Sequence, residues 1–214
     1  DLNLSDTLQL EILVEDDEPE ASQAFAVIRS RIAVEAAKAG NVGLADRALE
    51  VSARGVGRDA YYAAQLDVAR AELALGELDD PIARLAKFVP DVLDPRSGAK
   101  NPYDDMAPSR RAEVASLLVD LYSSRAAHRL RERAVGPAEN DLTYALRLDP
   151  DNATVKLQRV LVISGFGKLD LAFHKLGQIE ASTPGRDEVE AILLAMRVEA
   201  HLQSPRRPRG PGPA

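Results

Sequence analysis

The amino-acid sequence predicts an all-α fold built of stacked helix pairs. Three observations carry that expectation. Hydrophobic residues make up 45% of the 214-residue chain, yet aromatics are only 4%, and Ala and Leu dominate the apolar set. Ala and Leu rank high in helices, whereas sheets draw on β-branched and aromatic side chains. Helical patterning also breaks at short turns and resumes at once, as in "YALRLDPDNATVKL" at 143–156. Finally, Pro150 and Pro184 punctuate two such stretches 34 residues apart.

Taken in order, residues 1–18 stand apart as an acidic, extended N-terminal arm. In "TLQLEILVE", Leu8, Leu10, Ile12 and Val14 fall on alternate positions, a period-two strand signal. Residues 1–20 hold eight acids and no base. Such an arm can add a strand to a partner's sheet edge, lie along the helices, or form a short extra helix. Helical patterning starts near Pro19 and runs to Lys38. Gly40 to Gly43 turns the chain, and Leu44 to Arg54 is the second helix. Asp59 is a candidate cap for a helix reaching about Leu75, with Gly76 as its C-cap signal. A shorter helix runs from Asp80 to about Phe88, with Pro81 in its first turn.

Residues 89–108 hold four prolines and a glycine and read as an inserted loop. Helix returns from Ser109 to about Arg133, Gly136-Pro137 turns it, and Ala138 to Leu148 follows. Pro150 breaks that helix, and Asp151 or Asn152 caps the next. Further helical stretches cover 152–164, 168–181 and 186–202. The tail 203–214, rich in Pro, Gly and Arg, reads as disordered or polyproline-like, and its "PRRP" fits the PxxP pattern.

This pattern resembles the tetratricopeptide repeat, a helix pair with a period of about 34, small residues at fixed places and a closing proline. The resemblance rests on "ALRLDPDN", on Gly40 and Gly167 as turns, on small Ala45, Ala145 and Ala172, and on Pro150 and Pro184. It covers about residues 20–202, with repeats beginning near Ala26, Tyr62, Val119 and Ala153. In the second, Pro81 stands where the family has a small alanine, and the large aromatics usual in the first helix of each repeat are mostly absent. The resemblance implies a right-handed superhelical solenoid of about four helix pairs plus a C-terminal capping helix, spanning 19–202.

In that family the first helices line a concave groove that binds peptides. The resemblance therefore implies partner-binding positions at Val27, Ser30 and Val34; Ala63, Leu66 and Arg70; Asp120, Ser123 and Ala127; and Thr154, Leu157 and Leu161. None is Lys or Asn, so the set does not fit a chaperone-tail adaptor. Several of these residues can equally pack between helices. Separately, Arg125, Arg129 and Arg133 recur one helical turn apart. They read either as an anion or acidic-peptide patch or as a solvated face with cations near a helix C-terminus, which the helix dipole favours. A third possibility is that they meet the acidic arm, within the chain or between chains.

Other chemistry is not supported. The chain has no Cys, which excludes disulfides and thiolate metal sites. "GVGRDA" at 55–60 lacks the preceding strand of a dinucleotide fingerprint, and "GFGK" at 165–168 lacks the frame of a phosphate loop. His128, His174 and His201 have no zinc-helix spacing. No nucleophile elbow occurs. Asn152-Ala153-Thr154 is a glycosylation sequon by pattern. The net charge of -7 argues against nucleic-acid partners, and no apolar run reaches membrane-spanning length. The first residue, Asp1, reads as a processed or excised start, which leaves cytoplasmic and exported locations both open. The expectation is a non-enzymatic scaffold or adaptor without cofactors that binds a peptide or partner subunit. The alternatives are an accessory subunit anchored by its two ends, and a regulatory domain excised from a larger enzyme.

Overall fold

The computed structural model describes residues 19–52, 58–90 and 106–203. Within them the chain is all-α, with no strand. The helices are α1 (Pro19–Lys38), α2 (Val42–Ser52), α3 (Arg58–Ala74), α4 (Asp79–Ala86), α5 (Pro108–Arg131), α6 (Val135–Leu148), α7 (Ala153–Gly165), α8 (Leu169–Leu176) and α9 (Arg186–Gln203). No helix among the described residues is long and apolar enough to cross a membrane. The strand signal at 8–14, most of the inserted loop and the tail beyond 203 lie outside the described residues.

One turn recurs. After α1, α3, α5 and α7 a residue in the left-handed region sits two positions beyond the last helical residue: Gly40 (φ 75°), Gly76 (φ 84°), Arg133 (φ 62°) and Gly167 (φ 74°). Each closes the same pair of hydrogen bonds. The left-handed residue's N–H donates to the carbonyl three residues back, as Gly40 N to Ala37 O at 2.9 Å and Arg133 N to Leu130 O at 3.0 Å. The following N–H donates five back, as Asn41 N to Ala36 O and Ala134 N to Arg129 O, both at 2.8 Å. Glu77 and Lys168 repeat this at 3.0 and 3.3 Å. This is the Schellman arrangement, which satisfies the orphaned carbonyls of a helix end while reversing the chain.

The helix that follows each turn starts two or three residues later. Three residues into it lies a buried side chain: Ala45, Ile82, Ala138 and Ala172, at 0, 5, 0 and 0% exposure. One sequence expectation changes here: Ile82, not Pro81, takes the equivalent position in α4. Ala138 takes it in α6, and Ala145 is also fully buried. The third reversal is made at Arg133 and not at Gly136-Pro137. Those two residues fall in the first turn of α6, where backbone N–H groups have no intrahelical partner and a proline costs no bond.

Capping follows local chemistry. The Asn152 side chain accepts from Val155 N at 3.0 Å and starts α7. Asp59 is not the cap of α3, because the helix already includes Arg58. Its carboxylate instead receives Arg110 Nε at 3.2 Å and Nη2 at 3.3 Å, joining the beginnings of α3 and α5.

The chain divides into two compact units, residues 1–121 and 122–214, with the boundary inside α5. In the first, α1 packs on α2 and α3, α2 also meets α3, and α3 packs on α4. Its core cluster is Ala33, Ala36, Ala37, Ala45, Leu49, Ala64, Val68 and Ala71. Nearby, Phe88 meets Tyr62 edge-on with ring centroids 5.3 Å apart. In the second unit, α6 packs on α7, α7 on α8 and α9, and α8 on α9. Its cluster is Leu157, Val160, Ala172, Leu176, Ile179, Val189 and Leu193.

The left-handed turns carry the first prediction. A Cβ at Gly167 meets no atom within 4 Å, so its penalty is conformational alone. Gly167→Ala is expected to lower unfolding stability in urea by about 1 kcal/mol, and Arg133→Gly to raise it by about 0.5–1 kcal/mol. A destabilised Arg133→Gly protein would contradict the turn assignment.

Candidate functional site

Each unit contains a buried carboxylate held by arginine. In the first, Glu72 of α3 is fully buried, and Arg84 of α4 donates through Nη2 to its Oε1 at 2.8 Å. The same nitrogen reaches Asp46 Oδ1 of α2 at 2.7 Å, so one guanidinium ties three helices. Burial pushes the Glu72 carboxyl above its ordinary value, and the Arg84 charge only partly opposes this. Its second oxygen has no hydrogen-bond partner among the described residues.

In the second unit, Asp141 of α6 is 1% exposed. Arg125 grips it with two bonds, Nε to Oδ2 at 3.1 Å and Nη2 to Oδ1 at 2.8 Å. Arg129 adds Nη1 to Oδ2 at 2.7 Å and also donates to the Pro137 carbonyl at 3.2 Å. Arg125 further lies over the Tyr122 ring at 5.6 Å, and burial pushes the Tyr122 hydroxyl up to about 12. This corrects the anion-patch expectation. Arg125 and Arg129 neutralise a buried carboxylate, and Arg133 is the exposed left-handed turn residue. The three do not form one cationic surface.

The groove positions implied by the repeat resemblance scatter across environments. Leu66 is fully buried and Leu157 is 5% exposed, so both are core residues with no surface for a partner. The reason is that their side chains fall on the faces where neighbouring helices pack. Val27 is exposed, and Ser30, Ala63 and Ala127 are half-buried. Ser123 is half-buried with its hydroxyl oxygen enclosed, Leu161 packs against the core, and Asp120 and Thr154 are exposed. Val34 and Arg70 do come together. With Lys38, Asp67 and Leu75 they line a concavity of about 480 Å³ between α1 and α3. Arg70 is engaged there by Asp67 at 3.0 Å and lies 3.6 Å from Glu113.

A larger groove, about 750 Å³, lies in the second unit between α6, α7 and α8. Val160 and Ile179 form its buried floor. Phe166 and Leu171 stand on it 48% and 43% exposed. Four cations line it: Lys156, Arg159, Lys168 and Lys175. Arg159 is held by Glu139, with Nε at 2.9 Å and Nη2 at 2.6 Å from Oε1. Lys156 reaches the exposed Asp151 at 3.2 Å. Lys168 lies over the Phe166 ring at 5.9 Å, and Lys175 donates to the Gln178 amide oxygen at 3.2 Å. The groove thus offers apolar surface beside cations, two of which have only uncharged partners among the described residues.

None of the residues chosen from sequence lines this groove. The available signal was "GFGK", where a large aromatic and a lysine occupy a turn, together with Lys156 and Arg159 spaced one helical turn apart. Comparison with known proteins finds no match: no family model fits the chain, and no curated protein or solved structure is significantly similar to it.

Two tests follow from the buried carboxylates. Asp141→Ala strands two arginines and is expected to cost about 3 kcal/mol in urea unfolding, whereas Arg133→Ala should change it by less than about 0.5 kcal/mol. Equal effects would refute the division of roles among the three arginines. For Glu72 the folded pKa lies above the unfolded one, so the native state binds the extra proton. Its contribution is fully present below the unfolded value near 4.5 and is lost as pH rises through the folded value. Melting temperatures of wild type minus Glu72→Gln should therefore fall as pH is raised from about 4.5 to neutrality. A difference that rises with pH would reverse the assignment.

Proposed function

We propose that this chain is a non-enzymatic helical-repeat scaffold of the tetratricopeptide type that binds an acidic, aliphatic segment of a partner protein. Support for the repeat comes from the turns. Arg133 and Gly167, and likewise Ala138 and Ala172, are 34 residues apart and play the same roles. Among the described residues, α1 to α8 follow one another as four turn-linked pairs before α9, an order that a solenoid of four pairs and a capping helix would have. Within the second unit α7 contacts both α8 and α9, the neighbour-and-next packing of stacked hairpins.

The observation that carries the binding reading is the groove between α6, α7 and α8. Exposed Phe166 and Leu171 there supply apolar area, and Lys168 and Lys175 supply positive charge that no carboxylate neutralises among the described residues. A ligand with aliphatic side chains next to Asp or Glu satisfies both at once. Rigid helices preorganise the surface, so little ordering cost falls on the protein. A second reading, the α1–α3 concavity where Val34 and Arg70 meet, follows the groove geometry of the family. It is smaller, and its arginine already faces Asp67 and Glu113.

Selection from a random peptide library tests the reading. Enriched sequences are expected to combine Leu, Ile or Val with Asp or Glu. The double variant Lys168→Glu/Lys175→Glu should weaken their binding roughly 10-fold or more, while Arg70→Glu leaves it within about 2-fold. Enrichment that depends on Arg70 and not on the lysines would move the site to the first unit. The absence of any enrichment would overturn the scaffold reading.

A further inference from the structure

The geometry points to a binding site in the first unit, separate from the α6–α8 groove, for a small zwitterion of the amino-acid class. A concavity of about 390 Å³ lies between α2, α3 and α4. That volume is at the low end for small-molecule pockets, roughly 300–1,000 Å³, and suits a ligand of amino-acid size. Two of its lining side chains are polar and more than nine-tenths buried: Gln65 is 3% exposed and Arg84 8%. Each keeps one polar atom without a hydrogen-bond partner among the described residues, the amide oxygen Oε1 of Gln65 and Nη1 of Arg84. Burying such groups unsatisfied is costly, so each calls for a partner. Both atoms are enclosed, so a ligand reaches them only as the side chain turns toward the concavity, a movement that breaks no hydrogen bond of that atom.

The charges around the opening select the ligand. Arg47 and Glu50 of α2 and Asp80 and Lys87 of α4 line the concavity and are exposed. None of the four has an ion-pair partner among the described residues, and Lys87 lies over the uncharged Phe88 ring at 5.2 Å. The two cations can receive a carboxylate, and the two acids an ammonium group. Partial burial and the Arg84 charge hold the Lys87 amine below its ordinary value, and a bound carboxylate would favour its charged form. The half-buried Tyr61 adds apolar surface for a ligand side chain. Other chemistries fit less well. A simple anion meets Glu50 and Asp80 as well as the cations, and Arg84 is already engaged by Glu72 and Asp46. A cation meets Arg47 and Lys87, and among the described residues no cluster of acids or histidines is placed to hold a metal ion. A neutral ligand leaves the four exposed charges unused.

The test is isothermal titration calorimetry of the full chain with each of the standard L-amino acids, up to about 10 mM. At least one is expected to bind. Its N-acetyl and C-terminal amide derivatives, each lacking one charge, should bind roughly 10-fold more weakly or worse. Lys87→Met and Glu50→Gln change exposed residues and should each weaken binding roughly 10-fold while leaving the fold intact. Gln65→Leu, checked for cooperative unfolding in urea, should weaken it as well. Lys168→Glu/Lys175→Glu should leave binding within about 2-fold, so the outcome does not depend on the α6–α8 reading. Failure of every amino acid to bind, equal binding of a derivative with one charge removed, or indifference to both Lys87 and Glu50 overturns the proposal. So does a folded Gln65→Leu protein that binds at wild-type strength.

Discussion

The left-handed residue that ends α1, α3, α5 and α7 is the constraint on which the rest of the structure depends. It reverses the backbone within two residues, so the next helix must run back along the one just finished. Antiparallel return buries the first turns of α2, α6 and α8 at a small residue, Ala45, Ala138 and Ala172. In the second unit the same reversal carries Asp141 of α6 back to Arg125 and Arg129 of α5. The ion-pair node is thus a product of the turn, and it then secures the two helices that the turn brought together. In the first unit Gly76 brings Arg84 of α4 back to Glu72 of α3 by the same logic.

How much of this was legible depends on whether a residue's chemistry advertises its backbone. Gly40, Gly76 and Gly167 announce a positive φ because only glycine adopts it freely. Helix boundaries near them were readable to within a few residues, as was the cap at Asn152. Arg133 announces nothing, since arginine has no preference for the left-handed region. The nearby Gly136-Pro137 supplied a stronger but misleading turn signal. The start of α6 was therefore expected at Ala138 and lies at Val135. The division of the chain at 121/122, inside an uninterrupted helix, has no local sequence mark at all.

The site was harder to read than the fold, and for a different reason. Groove positions carried over from a family assume a particular register of each first helix. Leu66 and Leu157 do not follow that register, since both lie in the core. Charge is equally ambiguous in one dimension. Arg125 and Arg129 looked like a surface patch because their partner, Asp141, sits one hairpin away in sequence. Lys168 entered only as part of the "GFGK" turn and Lys175 not at all, because the exposed Phe166 and Leu171 beside them are recognisable only once burial is known.

The two core clusters also differ in how they should tolerate change over time. Six of the eight residues in the first are alanine. Truncation there removes almost nothing, but enlargement at the fully buried Ala37 or Ala45 must displace neighbouring side chains. The second cluster has a single alanine among seven, and its larger side chains can be exchanged for others of similar volume. Random mutation should therefore leave different fingerprints in the two clusters. The first should hold residue size nearly constant, while the second should drift among Leu, Ile, Val and Met.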